Sequence, residues 1–142
     1  MPSSLSILLI EDHDELREAT VDLLRQNGHA VRGISCSEDI GNIEDHLMPE
    51  LYIIDLNLPG ENGLALTKRI RHSHPDVGII ISTASAQAKD KVTGYDSGAD
   101  IYLTKPIDPE ELMASVRALA RRLKPQSEGR QGVLCVDTFT LQ

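Results

Sequence analysis

The sequence predicts an α/β fold in which a doubly wound parallel sheet is covered by helices on both faces. Short apolar runs of strand length alternate with longer segments whose apolar residues recur at helical spacing, a βαβα order. Three of the runs, at 5–10 (LSILLI), 51–54 (LYII) and 77–82 (VGIIIS), are almost continuously apolar, as strands buried on both faces are. With 40% hydrophobic residues among 142, the chain can bury one core of ordinary size, so a single domain with a short tail is expected.

The first strand is expected over 5–10. Leu16, Ala19, Val21, Leu23 and Leu24 then recur at helical spacing, and that stretch stops at Asn27-Gly28, where a C-cap belongs. A second strand follows at 30–34 (AVRGI) and a helical segment near 37–47. The third strand, 51–54, runs into Asp55 and then a turn built from Pro59, Gly60 and Gly63, before a helix over 63–72. The fourth strand, 77–82, precedes a helix over 87–97, and the fifth strand is 101–104 (IYLT). The last helix, 108–123, opens with Asp108-Pro109-Glu110-Glu111: a capping carboxylate, a proline in the first turn and two acidic residues at the positive helix end. Residues 1–123 thus form the domain. Residues 124–132 (KPQSEGRQG) read as a linker, and the β-branched, alternating 133–142 (VLCVDTFTLQ) as the start of a further domain cut short.

Composition narrows the function classes. A formal net charge of -8 should repel a phosphate backbone, so contact with nucleic acid would need a further domain. No apolar stretch approaches a transmembrane span and residues 1–10 carry no charged leader, so a cytoplasmic protein is expected. Cys36 and Cys135 lie far apart and read as reduced thiols. His13, His29, His46, His72 and His74 share no spacing that suggests a zinc site, and Arg69, Arg71, Arg121 and Arg122 read as solvated helix faces.

In an open parallel sheet, ligands bind outside the carboxyl ends of the strands. Four of those ends carry polar residues: Glu11-Asp12, Asp55, Thr83 and Lys105-Pro106. Each has an ordinary reading. Glu11 and Asp12 would cap the first helix, Asp55 and Thr83 would end strands, and Lys105 would be a surface lysine. Together they sit on the one rim where function is expected. Gathered carboxylates repel one another and raise the pKa of at least one, unless relieved by a hard divalent cation or by the Lys105 ammonium. Mg²⁺ favours one or two carboxylates plus water and phosphate oxygens, so the set has the parts for phosphoryl transfer.

Over residues 5–123 the sequence resembles the receiver domain of two-component response regulators. The resemblance is carried by Glu11-Asp12, by Asp55 followed by LNLPGENG, by ISTAS with Thr83-Ala84, and by GADIYLTKP with Lys105-Pro106, all in order. It implies a five-stranded, flavodoxin-like parallel sheet in order 2-1-3-4-5 flanked by five helices. Asp55 would then be the phosphoacceptor, taking a phosphoryl group from a phosphohistidine on a sensor histidine kinase. Glu11, Asp12, Asp55 and the backbone carbonyl of Asn57 would hold Mg²⁺. Thr83 would bond one phosphoryl oxygen and Lys105 another, with a cis Lys105-Pro106 peptide aiming the lysine inward. Thr83 and Tyr102, which turns inward, would form the switch, and Asn57 and Ser85 would influence the phosphoryl lifetime.

The final helix and linker resemble the subfamily with a winged-helix DNA-binding output, which dimerises through its fourth helix, fifth strand and fifth helix. Ile101 and Ser115 replace both ends of one charged pair expected there, which points to a weaker or more apolar homodimer face with Lys91, Asp96, Asp100, Glu111 and Arg117 as remaining polar candidates. The favoured function is a phosphorylation-controlled switch that is not an enzyme beyond its own phosphorylation and slow dephosphorylation. A stand-alone adaptor or phosphorelay receiver is the alternative. A small Mg²⁺-dependent phosphatase would require a general acid shortly after the nucleophile, and position 57 is Asn.

Overall fold

In the computed structural model, residues 4–41, 48–58 and 62–123 are described. Their elements are β1 (Ser6–Ile10), α1 (Asp14–Gln26), β2 (Ala30–Ile34), a 3-10 turn (Ser37–Asp39), β3 (Leu51–Asp55), α2 (Gly63–Ser73), β4 (Gly78–Thr83), α3 (Ala88–Asp96), β5 (Ile101–Thr104) and α4 (Pro109–Leu123). All five strands pair in parallel in the order β2-β1-β3-β4-β5. Of the helical segment expected near 37–47, the 3-10 turn and helical residues 40 and 41 are described, and 42–47 lie outside the described residues. The linker and further strand expected after residue 123 lie outside them too, as do His46, Pro59, Gly60 and Cys135.

Alternation along the strands sorts the core into two layers. Ile7, Leu9, Leu51, Ile53, Ile80 and Leu103 face α1 and α4, and pack with Val21, Leu24, Val116 and Leu119. Leu8, Ile10, Tyr52, Ile54, Ile81 and Tyr102 face the opposite side, where α2 contributes Leu66 and Ile70. β3 and β4 are buried along their whole length, which is why their sequences show no polar alternation.

The helix ends follow local chemistry. The residue capping α1 is His13, whose Nδ1 accepts from the Leu16 amide at 3.2 Å, so the capping role considered for Glu11 and Asp12 falls to their neighbour. Asn27 ends that helix and Gly28 takes φ +93°, as the Asn-Gly pair predicts. Asn62 caps α2, and Asp108 accepts from the Glu110 amide at the start of α4.

Gly63 is required by close approach. A Cβ there would stand 2.5 Å from Leu56 Cα and 2.7 Å from the Asp55 carbonyl oxygen. The first turn of α2 therefore presses on the end of β3 and helps fix where Asp55 stands.

Arg71 corrects the expectation of a solvated helix face. Its guanidinium donates to the carbonyls of Pro75, Val77 and Gly98 and to Asp100 Oδ2 at 2.9 Å. Asp100 also accepts from the Ile79 amide and from Arg122, so both of its oxygens are engaged within the chain. This ties the end of α2, the starts of β4 and β5, and α4 together at the amino edge of the sheet.

Candidate functional site

The polar strand ends do meet at the carboxyl edge of the sheet. Carrying the alternation one step past Leu9, Ile53, Ile80 and Leu103 places Glu11, Asp55, Ser82 and Lys105 on the α1/α4 side. Glu11 and Asp55 are buried although both are acids, while Asp12 is exposed. One carboxylate oxygen from each of the three lies within 4.8 Å of the others.

Several bonds hold this arrangement. The Glu11 amide donates to the Ile34 carbonyl, and the Glu11 carbonyl accepts from Arg17 at 2.8 Å. Glu11 Oε2 accepts from the His13 amide, which leaves Oε1 for Lys105 Nζ at 2.8 Å. The same ammonium reaches Asp55 Oδ2 at 3.3 Å, while Asp55 Oδ1 accepts from the Asn57 amide at 3.0 Å. Asn57 thus has a role its sequence position did not reveal: its N–H orients the carboxylate two residues earlier. The Lys105–Pro106 peptide is cis, and the Lys105 amide donates to the Thr83 carbonyl at 2.6 Å.

The electrostatics follow from who faces whom. Burial pushes Glu11 above the ordinary carboxylate range; its bonds to Lys105 and to the His13 amide pull it back, and the nearby charge of Asp55 adds to the rise. Burial pulls Lys105 down, but the bond to Glu11 and the charges of both carboxylates outweigh it and leave the ammonium above its ordinary value. The asymmetry has a simple cause: Lys105 faces two anions, whereas Glu11 faces one cation and another anion. Three carboxylates against one ammonium leave the cluster short of positive charge. Its hard oxygen donors fit a divalent ion such as Mg²⁺, with Glu11, Asp12 and Asp55 as the side chains that would hold it.

Thr83 and Tyr102 belong to the other layer. Thr83, buried at the end of β4, stands one residue past Ser82, the register partner of Asp55. Its Oγ1 accepts from the Ser85 amide at 3.3 Å. Tyr102 is buried against Gly94 of α3, and its hydroxyl donates to the Ser85 carbonyl at 3.2 Å. The phenol is pushed up by that burial. Ser85 Oγ in turn donates to Asp90 Oδ2 at 2.5 Å, a partner with no local sequence signal. Beside the carboxylates, a largely apolar cavity of about 590 Å³ opens between α1 and α4, lined by Leu16, Leu23, Ile53 and Leu112 with Glu11 and Lys105 at one end.

Comparison with known proteins agrees with this picture. The family described as the response regulator receiver domain matches residues 7–117. The transcriptional regulatory protein BaeR of Escherichia coli O6:H1 is 37% identical over 125 residues, covering 88% of this chain and 52% of that protein. The phosphate regulon transcriptional regulatory protein PhoB of Escherichia coli K12 is 32% identical over 123 residues, covering 85% of this chain and 54% of that protein. The chain therefore spans about half the length of these relatives. Among solved structures, a response regulator from Chloroflexus aurantiacus superposes with a TM-score of 0.77 at 30% identity, covering 84% of this chain and 99% of that one. DrrB, a Thermotoga maritima OmpR/PhoB homolog, gives 0.76 at 27% identity over 85% of this chain and 54% of its own. The family match runs through every strand that carries a site residue, and the chain belongs to the response regulator receiver domain family.

Proposed function

We propose that this domain is the phosphoacceptor switch of a two-component system, with Asp55 as the residue that takes the phosphoryl group from a sensor histidine kinase. The observation that carries the reading is the placement of Asp55: a buried carboxylate at an open strand end, with one oxygen oriented by the Asn57 amide and the other 3.3 Å from Lys105. A carboxylate so fixed needs little reorganisation before attack. Its oxygen forms the new P–O bond as the P–N bond of the phosphohistidine breaks, and the electron pair leaves with the imidazole nitrogen. Lys105 then pairs with a phosphoryl oxygen and Thr83 donates its hydroxyl to another. Mg²⁺, when held by Glu11, Asp12, Asp55 and the Asn57 carbonyl, would neutralise phosphoryl charge.

The apolar cavity next to the carboxylates supports a protein phosphodonor, because it offers α1 and the start of α4 as a contact surface beside the rim. The relatives are named transcriptional regulators, which supports a transcriptional output in a cytoplasmic regulator, with DNA bound only through a further domain. No helix among the described residues is long and apolar enough to cross a membrane. On this reading the chain is not an enzyme beyond its own phosphorylation and slow dephosphorylation. For the homodimer face, exposed Val92 and Tyr95 on α3 favour an apolar contact, and Asp100, engaged by Arg71 and Arg122, leaves Lys91, Asp96, Glu111 and Arg117 as exposed polar candidates. Sedimentation with and without beryllofluoride tests that face, and a tight dimer in its absence counts against it.

The test of the reading is intact mass after incubation with acetyl phosphate. A gain of about 80 Da that requires Mg²⁺ and is lost in Asp55→Asn is expected. A folded, Mg²⁺-binding wild type that gains no mass would exclude Asp55 as acceptor.

A further inference from the structure

We propose that Ser85 is a positioning residue whose side-chain bond to Asp90 holds the β4–α3 loop in the arrangement that keeps Tyr102 inward and fixes the Thr83 hydroxyl beside it, before any phosphoryl group arrives. The inference rests on the phosphoacceptor reading only for the purpose of that hydroxyl; the loop geometry stands by itself.

Four hydrogen bonds converge on Ser85. Its amide donates to Thr83 Oγ1, its carbonyl accepts from the Tyr102 hydroxyl, and its own hydroxyl donates to Asp90 Oδ2 and accepts from the Gln87 amide at 3.4 Å. A threonine hydroxyl has one proton and two lone pairs. The Ser85 amide occupies one lone pair of the Thr83 hydroxyl, which also lies within hydrogen-bond reach of the Tyr102 phenol.

Ser85 can serve this way only if its backbone is held. The loop Ala84–Gln87 is otherwise exposed apart from Ser85 itself. Asp90, in the first turn of α3, supplies the anchor. Gly94, one turn further along the same helix, seats the Tyr102 ring, since a Cβ there would stand 2.8 Å from Tyr102 Cδ2. Ser85 and Asp90 therefore tie α3, the loop and the Tyr102 hydroxyl into one unit that biases the switch toward the inward tyrosine.

The full chain labelled with fluorotyrosine tests this without any phosphodonor, the Tyr102 resonance being identified by Tyr102→Phe. In Ser85→Ala and in Asp90→Ala, the Tyr102 signal should acquire a solvent isotope shift that it lacks in the wild type. Ser85→Thr, which keeps the hydroxyl, should restore the wild-type signal, and Asp90→Asn, which keeps an acceptor, should fall between. Both alanine variants should also need about tenfold more beryllofluoride for half-saturation, about 1.4 kcal/mol, with Mg²⁺ affinity unchanged. The double variant should do no worse than either single one, because both remove the same bond. Neither residue lies in the core, and circular dichroism with urea melts checks that each variant folds. An unmoved Tyr102 signal in both folded alanine variants overturns the proposal. If Tyr102 responds as expected but beryllofluoride fails to bind even the wild type, the phosphoacceptor reading falls and the latch stands.

Discussion

Removing the Lys105 ammonium while keeping its volume, as Lys105→Met does, should destabilise the domain in a pH-dependent way. Glu11 and Asp55 are buried, and the ammonium is the cation that contacts both, at 2.8 Å and 3.3 Å. Breaking a fully buried pair costs about 3–5 kcal/mol, but the Lys105 side chain keeps 22% of its exposure, and solvent screening lowers the expected penalty to about 2 kcal/mol at pH 8 without Mg²⁺. With a urea m-value of about 1.5 kcal/mol/M, the midpoint should fall by a little over about 1 M. The sign is the same on the two partners and the pH windows differ. Glu11 is raised above its ordinary 4.5, so its contribution is fully favourable below that value and is lost as pH rises through its folded value. Lys105 is raised above 10.5, so its contribution is present below 10.5 and lost only as pH rises through its higher folded value. As pH falls and Glu11 takes up its proton, the charge that Lys105 would have paired shrinks, so the penalty should be smaller at pH 5 than at pH 8. Urea melts at pH 5 and pH 8 in chelator read both values, and Glu11→Gln should shrink the pH 8 penalty in the double variant. Equal penalties at the two pH values, or none at pH 8, would refute the assignment of the lysine to this pair.

Two further outcomes follow from contacts away from the carboxylates. Arg71→Ala should lower stability by about 2–3 kcal/mol in urea melts at neutral pH, because it leaves partly buried carbonyls and one Asp100 oxygen without their charged donor; a loss under about 0.5 kcal/mol, typical of surface sites, would return Arg71 to the solvated face first expected of it. Gly94→Ala should displace the Tyr102 ring, since the added Cβ meets Cδ2 at 2.8 Å and Cε2 at 3.0 Å, and ultraviolet difference spectra should show a tyrosine moving into water; an unchanged spectrum would mean that α3 shifts instead.

How much of this was legible beforehand depends on the range over which the determining contacts act. The expected strands agree with the observed ones to within one residue at each end, because almost continuously apolar runs such as LYII and VGIIIS have few alternatives to a covered parallel sheet. Glu11, Asp55 and Lys105 were identifiable as partners although Lys105 lies 94 residues from Glu11, since the end of each strand can be read locally and the sheet brings the ends together. Arg71 was misread for the opposite reason. Its partners Gly98 and Asp100 sit beyond a strand and a helix, and nothing in KRIRHS separates a stapling arginine from a solvated one. The Ser85–Asp90 bond was invisible likewise: five residues apart, the pair matches neither a helical nor a strand repeat.

The sequence places four polar strand ends on one rim, but alternation in the structure divides them between two faces. Glu11, Asp55 and Lys105 carry charge on the α1/α4 side, and Thr83 and Tyr102 lie in the layer that packs beneath α2 and α3. On the proposed reading, a charge gained at Asp55 would be sensed across β4, where Ser82 lies beside the carboxylate and Thr83, the next residue, points to the other layer. The period of two in a strand would therefore separate the proposed chemistry from its readout by one peptide unit. The Lys105 amide closes the loop by donating to the Thr83 carbonyl at 2.6 Å, so the residue that pairs with Asp55 is also bonded to the residue that would report on it. That backbone bond gives the two layers a direct connection at the rim.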